Sequence, residues 1–494
     1  MSPVGFGPGA PAPVESGPVG FAGGMSGSGM SGLGGPGPAA SGFAVPGADA
    51  SGIGGGGIGQ GVVLHPTDPF AVLAHGIGSQ HDLPISPFYA FAGAFTALFV
   101  SFLALGLLWS TSRFRGDRSG LALPAGLQRV ADAPATRITL RGLGLAAALA
   151  VLLHLLLGPD DPAHNPAPGA VYVLLWVGLV PASLLLGPVW RLLNPLRTLH
   201  RLLSRALRRR GPDRPLPARL GQWPAAAGVF GFTWLELVAP DPASTTSLLI
   251  ALTTYATAQL LLAARFGERW FDDGDAFEAY SALLARLSPL GRRSDGRLVL
   301  RNPFHGLDAT PERPGLVATV CVLLGSTAYD GFSDSPSWIN ALQTSPLGRT
   351  PAATLGLLAS IALVATLYGL CAAATRLVSG PHPGPLTAFA HSLVPIALGY
   401  LIAHYFSLLV VEGPRTVSMA LGTDNAPEPA PPLGPGALAA LQVIAVVTGH
   451  VLGVVAAHDR SVRLFPPAKA VAGQLPLLAL MITYTVGGLS LLLN

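Results

Sequence analysis

A few short stretches of this chain hold side chains that could move a proton or ligate a metal. Glu236 stands in Trp234-Leu235-Glu236-Leu237, Asp330 in Ser326-Thr327-Ala328-Tyr329-Asp330-Gly331, and His404 in Ala403-His404-Tyr405-Phe406-Ser407. His75, His81 and Asp82 fall close together in Ala74-His75-Gly76-Ile77-Gly78-Ser79-Gln80-His81-Asp82. Mixed imidazole and carboxylate donors suit zinc, copper or another divalent first-row transition metal. With an open coordination position, such an ion acidifies a bound water and yields a nucleophile near neutral pH. Glu236 and Asp330 are the candidate catalytic carboxylates. His75, His81, Asp82 and His404 are the candidate metal ligands.

A second set consists of His391, His450 and the pair His458-Asp459. On one helix, the 13 residues between His391 and His404 correspond to roughly 140° of rotation, so the two point to different faces and belong to different sites. His450 sits in Gly449-His450-Val451-Leu452-Gly453, where small residues allow a neighbouring helix to approach closely.

The elements that must position these groups are membrane spans. Half the residues are hydrophobic and only 11% are charged, less than half of what a water-facing surface requires. Apolar stretches near the length of a hydrocarbon core recur at about 88–109, 138–157, 170–191, 223–240, 244–265, 315–332, 351–376, 386–411, 436–457 and 471–493. The expected fold class is therefore all-α, a polytopic transmembrane bundle of about ten spans in the lipid bilayer over residues 88–494. Residues 1–62 are a Gly/Pro/Ser-rich tail expected to be disordered, because they cannot bury enough apolar area to offset their ordering entropy. Residues 63–87 form a pre-membrane segment.

Arginines sort the connections. They crowd 110–141, 191–219 (with Arg208-Arg209-Arg210 at its centre), 265–313 and 460–469, and are nearly absent from 158–169, 331–350 and 412–435. Basic loops are retained in the cytoplasm, so both termini are expected outside, in a multi-pass protein of the cytoplasmic membrane. Glu236, Asp330, His404 and the 74–84 segment then share one outer layer, with His391, His450 and His458 towards the inner side. The loop 266–314 reads as one or two amphipathic helices (Phe277, Tyr280, Leu283, Leu284, Leu287) lying at the inner interface. Cys321 and Cys371 lie in apolar stretches and read as buried small hydrophobes. No water-facing basic domain is long enough for nucleic-acid binding.

Several of these stretches, joined by Asp82-Leu83-Pro84-Ile85, Leu107-Leu108-Trp109, Arg269-Trp270-Phe271, Phe389-Ala390-His391-Ser392-Leu393-Val394-Pro395 and Ala457-His458-Asp459-Arg460, resemble a bacterial polytopic membrane family labelled fenitrothion hydrolase-like. The resemblance spans roughly 74 to 460. It implies an extracytoplasmic phosphotriester hydrolase acting on a small-molecule substrate. The resemblance further implies a start at a His-Gly freed by signal cleavage, where the amine and imidazole could chelate copper. Here 74 residues precede His75, so that chelate requires cleavage after Ala74. Two other readings of the residues stand beside it: a transporter of metal ions or small solutes, and a non-catalytic membrane scaffold that meets anionic lipid through its arginines.

Overall fold

The computed structural model describes residues 87–208, 215–380, 385–423 and 433–493. The Gly/Pro-rich tail and nearly all of the pre-membrane segment, with His75, His81 and Asp82, lie outside the described residues.

The chain is an all-α polytopic helical bundle. In chain order its principal helices are α1 (Pro87–Leu108), α2 (Ala125–Asp132), α3 (Pro134–Leu157), α4 (Pro166–Leu186), α5 (Pro195–Ala206), α6 (Trp223–Leu237), α7 (Thr245–Phe266), α8 (Trp270–Gly274), α9 (Ala276–Leu284), α10 (Pro303–Asp308), α11 (Leu316–Ser333), α12 (Pro336–Gln343), α13 (Arg349–Ser379), α14 (Val394–Ala420), α15 (Pro435–Leu464) and α16 (Leu475–Leu493). Proline occupies the first turn of many of them, where its missing N–H costs no intrahelical bond. Among the described residues nine helices are long and apolar enough to cross a membrane: α1, α3, α4, α7, α11, α13, α14, α15 and α16.

The exposed side chains of α1 include Phe88, Phe95, Phe99, Leu103 and Leu107, a surface suited to lipid rather than water. Burial then ranks the spans. Only 11% of the apolar window of α3 and 17% of those of α1 and α7 are buried, against 61% for α11 and 56% for α14. The first three are peripheral and the last two central, and the central two carry Asp330 and His404.

One expectation is sharpened and one is corrected. The stretch 223–240 forms a helix of only 15 residues, Trp223–Leu237, about 22 Å long and shorter than a hydrocarbon core, yet the turn after it reaches the 158–169 connection, where Asp160 Oδ1 accepts from Thr245 N at 2.7 Å. Gly221, with φ of 42°, precedes it, and Pro240, Asp241 (φ 38°) and Pro242 follow it, so neither end can extend. The loop 266–314 does not lie flat on an interface. Phe277, Tyr280, Leu283, Leu284 and Leu287 are buried, and α9 packs against α6 and α4. The approach to α6 is close enough that a Cβ on Gly228 would stand 2.8 Å from the Ala276 Cβ. A short α6 leaves apolar surface that α9 covers, which is why the stripe of α9 faces protein.

The same loop holds most of a three-stranded antiparallel sheet in the order β1 (Leu121–Ala122), β3 (Leu298–Leu300), β2 (Leu290–Arg292), with Leu300 opposite both Leu121 and Leu290. α14 and α15 form the tightest helix pair. A Cβ on Gly449 would lie 2.5 Å from the Pro395 carbonyl oxygen, and one on Gly453 2.7 Å from that of Ser392. The small residues flanking His450 thus let the backbones touch, as their spacing predicts.

Candidate functional site

α6, α11 and α14 bring three of the sequence-predicted side chains into one buried layer. Asp330, in the last turns of α11, is 1% exposed. Its Oδ2 accepts hydrogen bonds from His404 Nε2 at 2.6 Å and from the Tyr405 hydroxyl at 2.8 Å. His404 and Tyr405 are consecutive on α14, with rings edge to face and centroids 4.8 Å apart. One helix therefore grips a single carboxylate oxygen with two neighbouring side chains. The other oxygen, Oδ1, has no partner.

Glu236 stands near the C-terminal end of α6 and is also buried. Its Oε2 has no partner, although the carboxylate lies within electrostatic range of Asp330, Tyr172, Tyr280 and Tyr405. An unpaired buried carboxylate oxygen is among the costliest groups a fold can hold. Two of them in one layer make it the candidate site of this chain.

The fourth wall is α4. Between Ala170 and Val177 this helix is π-helical, as the bond from Gly178 N to the Val173 carbonyl (2.8 Å) records. Short π segments inside α-helices concentrate at functional sites, because the wider turn redirects side chains. This one places Tyr172 and Trp176 beside Phe232 of α6 and stacks Trp176 on Tyr280 of α9, with ring centroids 4.5 Å apart. The Tyr172 hydroxyl is used on the Pro242 carbonyl at 2.8 Å. Trp176 Nε1 and the Tyr280 hydroxyl have no partner.

Sequence reasoning missed Tyr405, Trp176 and Tyr280 as site residues. Adjacency to His404 was a usable signal for Tyr405. Tyr280 was hidden in the stripe assigned to an interface, and a π-helical turn has no sequence signature that could have exposed Trp176.

The inner set does not form one site. His458 and Asp459 of α15 clamp the segment that leaves α1. Asp459 accepts from Trp109 Nε1 (3.3 Å), the Ser112 hydroxyl (2.7 Å) and Arg113 N (2.6 Å). His458 engages the Trp109 carbonyl and Gln474 Oε1, each at 2.9 Å. With both ring nitrogens and both carboxylate oxygens occupied, this pair is a structural joint. His391 precedes α14 in a 3-10 turn, buried, with Nδ1 unpartnered. His450 bonds the Val446 carbonyl through Nδ1 at 2.9 Å, and its Nε2 has no partner. Cys321 and Cys371 are buried free thiols.

Among the described residues, no group of three or more His, Cys, Asp or Glu is spaced to hold a metal ion as it stands. Comparison with family models, with curated proteins and with solved structures finds no match for this chain.

Proposed function

We propose that this multi-pass membrane protein is a hydrolase of the cytoplasmic membrane whose reaction takes place at the Glu236–Asp330–His404 layer, on the outer side, and that its substrates are phosphotriesters. The observation that carries a reactive site is the pair of buried, partnerless carboxylate oxygens, Glu236 Oε2 and Asp330 Oδ1, in one layer. The phosphotriester comes from the family resemblance and the outer placement from the arginine distribution.

A divalent transition metal, zinc or copper, suits these donors in part. The two free oxygens are anionic ligand atoms. Asp330 fixes the His404 ring through Nε2, the support a ligating histidine usually receives, and Nδ1 would be the atom to meet an ion. A full ligand set would need His75, His81 or Asp82 as well. When bound, such an ion would polarise the phosphoryl oxygen of the substrate.

The chain's own residues supply the rest. Glu236, unpaired and next to a second carboxylate, is the proton acceptor for the attacking water. Water oxygen joins phosphorus, the bond from phosphorus to the leaving oxygen breaks, and the proton held on Glu236 passes to that oxygen. Asp330 orients His404 and Tyr405, and apolar walls such as Phe232 keep bulk water out.

Elemental analysis of detergent-purified wild type beside Glu236→Gln, Asp330→Asn and His404→Ala tests this reading. Stoichiometric transition metal in the wild type, depleted in the variants, with phosphotriester turnover lost in step, is the expected result. Metal-replete protein with no turnover rejects the hydrolase.

A second reading, transport of a metal ion or small solute, is favoured by one observation. His391 and His450 bury unpartnered ring nitrogens beyond the Asp330 layer along α14 and α15, so ionisable groups occur at more than one depth. Uptake into vesicles that requires His391 and His450 as much as His404 would select it.

A further inference from the structure

The orphaned atoms of the layer are of two kinds. Glu236 Oε2 and Asp330 Oδ1 are acceptors, whereas the Tyr280 hydroxyl and Trp176 Nε1 carry hydrogens with no acceptor. Tyr280 is 0% exposed and Trp176 3%, so water at the protein surface satisfies neither. Their rings stack at 20° with centroids 4.5 Å apart, so the two side chains stand side by side in the layer. Tyr280 lies within the field of Glu236, and Trp176 Nε1 is directed towards the Tyr405 oxygen without a hydrogen bond of ordinary geometry.

A bare cation would satisfy the acceptors and leave the indole N–H unused, since an N–H cannot ligate a metal. The mixture requires a ligand that offers an oxygen acceptor on one side and a proton on the other. A neutral ester with a strongly polar phosphoryl or carbonyl oxygen, together with water, meets both demands.

We propose that Tyr280 and Trp176 are the donor pair that holds the phosphoryl oxygen of the substrate, opposite the carboxylates that take the proton of the attacking water. This rests on the hydrolase reading above and assigns it two further residues. Negative charge grows on the phosphoryl oxygen as water adds, and fixed N–H and O–H donors in a dry chamber stabilise that charge more than they stabilise the ground state. The π-helical turn of α4 sets Trp176 against Phe232 and Tyr280, and the burial of α9 delivers Tyr280. Both devices lie in regions that a simple bundle of spans would not contain.

The test compares wild type, Tyr280→Phe and Trp176→Phe in the full chain. Turnover is read with dimethyl 4-nitrophenyl phosphate, and binding with triethyl phosphate, which has the same phosphoryl oxygen and a poor leaving group. Tyr280→Phe removes only an unpaired hydroxyl, so its unfolding midpoint should match or exceed that of the wild type, whereas Trp176→Phe also shrinks a buried, stacked ring and should lower the midpoint, so its turnover is read below both midpoints. The expected result is a fall in kcat/KM of roughly tenfold to a hundredfold for Tyr280→Phe, weighted towards kcat, with weaker triethyl phosphate binding and a smaller loss for Trp176→Phe. Wild-type turnover or binding that persists undiminished in both variants overturns the donor pair and leaves the hydrolase standing. Wild-type protein that neither turns over the one ester nor binds the other overturns both.

Discussion

α9 contributes to two buried polar clusters, and the two are finished differently. Glu278, on one face, enters a charge network built around Arg197, a guanidinium 3% exposed. Every nitrogen of Arg197 is used. Nε and Nη2 grip the two Glu278 oxygens at 3.1 and 2.6 Å, Nη1 reaches Glu268 at 2.9 Å, and Nη2 also reaches Asp272 at 2.8 Å. Arg191 and Arg201 pair with Asp272 and Glu268, and Asn194 caps α5 while donating to Glu278. Burial would raise Glu268, yet hydrogen bonds from Arg201 and Arg197 hold it down at about 2. Tyr280, two positions further along and so on the opposite face, enters the Glu236 layer, where four polar atoms are left without partners. Membrane depth alone does not distinguish the clusters. Saturation does: a network with every donor and acceptor matched holds the scaffold together, and the layer with orphaned donors and acceptors is where we propose the reaction.

The largest expected effect falls on the saturated cluster. Arg197→Met leaves Glu278, Glu268 and Asp272 as buried or half-buried acids with too few cations. Breaking a buried ion pair from one side costs about 3–5 kcal/mol. Thermal unfolding in detergent should show a collapse of the midpoint, and Arg197→Met combined with Glu278→Leu should recover a substantial part of it. Equal loss in single and double variants would mean that the network is not the unit described.

The orphaned cluster should respond in the opposite way. Glu236→Gln alters a carboxyl whose Oε2 has no partner, so its unfolding midpoint should hold or rise, whereas Asp330→Asn also weakens the bonds from His404 and Tyr405 and should lower the midpoint. Phosphotriester turnover should fall in both by roughly a hundredfold or more, the range for losing a positioned acid or base. A Glu236→Gln variant that loses stability along with activity would place Glu236 with the scaffold and erase the contrast.

Much of this architecture was legible before any coordinates. Apolar lengths located nine of the spans, because crossing a bilayer imposes a length and a composition that single residues cannot disguise. Glu236, Asp330 and His404 were legible for the complementary reason: charge in such segments is costly enough to be rare. What escaped depended on tertiary fit. The truncation of α6 follows from turn residues such as Gly221 and Asp241, and only packing reveals that α9 fills the space beside it. His458 and Asp459 looked like ligands because their residue types fit, yet Trp109, Ser112 and Arg113 occupy them, and no spacing in the sequence announces a partner 350 residues away.

A smaller loss tests whether the helix that carries His404 and Tyr405 must touch α15 to keep the layer in place. Gly449→Ala would put a methyl carbon 2.5 Å from the Pro395 carbonyl oxygen, so the backbones must part. Overpacking of this kind costs about 1–3 kcal/mol. If α14 positions His404 and Tyr405 against Asp330 rigidly, turnover falls along with the midpoint. A drop in midpoint with full activity would show that the His404–Asp330 bond does not depend on this contact.

The smallest effect is a pH dependence on the saturated side, at the start of α9. Asp275 caps that helix, accepting from Glu278 N at 2.7 Å and from the Tyr255 hydroxyl at 3.1 Å. Burial pushes its carboxyl up to about 6, against the hydrogen bonds and against Arg197. A carboxyl raised on folding binds its proton more tightly in the native state than in the unfolded chain. Its contribution is therefore complete below the ordinary aspartate range and is lost as pH rises through about 6. The wild-type midpoint should decline across that window, by an amount on the order of 1 kcal/mol. Asp275→Asn keeps an oxygen for the cap and removes the titration, so its midpoint should change less over the same interval. Burial also pushes Glu278 above the usual carboxylate range, so it adds a decline of the same sign, and the difference between wild type and Asp275→Asn isolates Asp275; Glu268, held low by its arginines, acts with the opposite sign at lower pH. A wild-type midpoint that instead rises between pH 4 and 6 would mean that Asp275 is ionised in the folded protein, and that Arg197 reaches the α9 cap more strongly than its contacts with Glu278 and Asp272 allow.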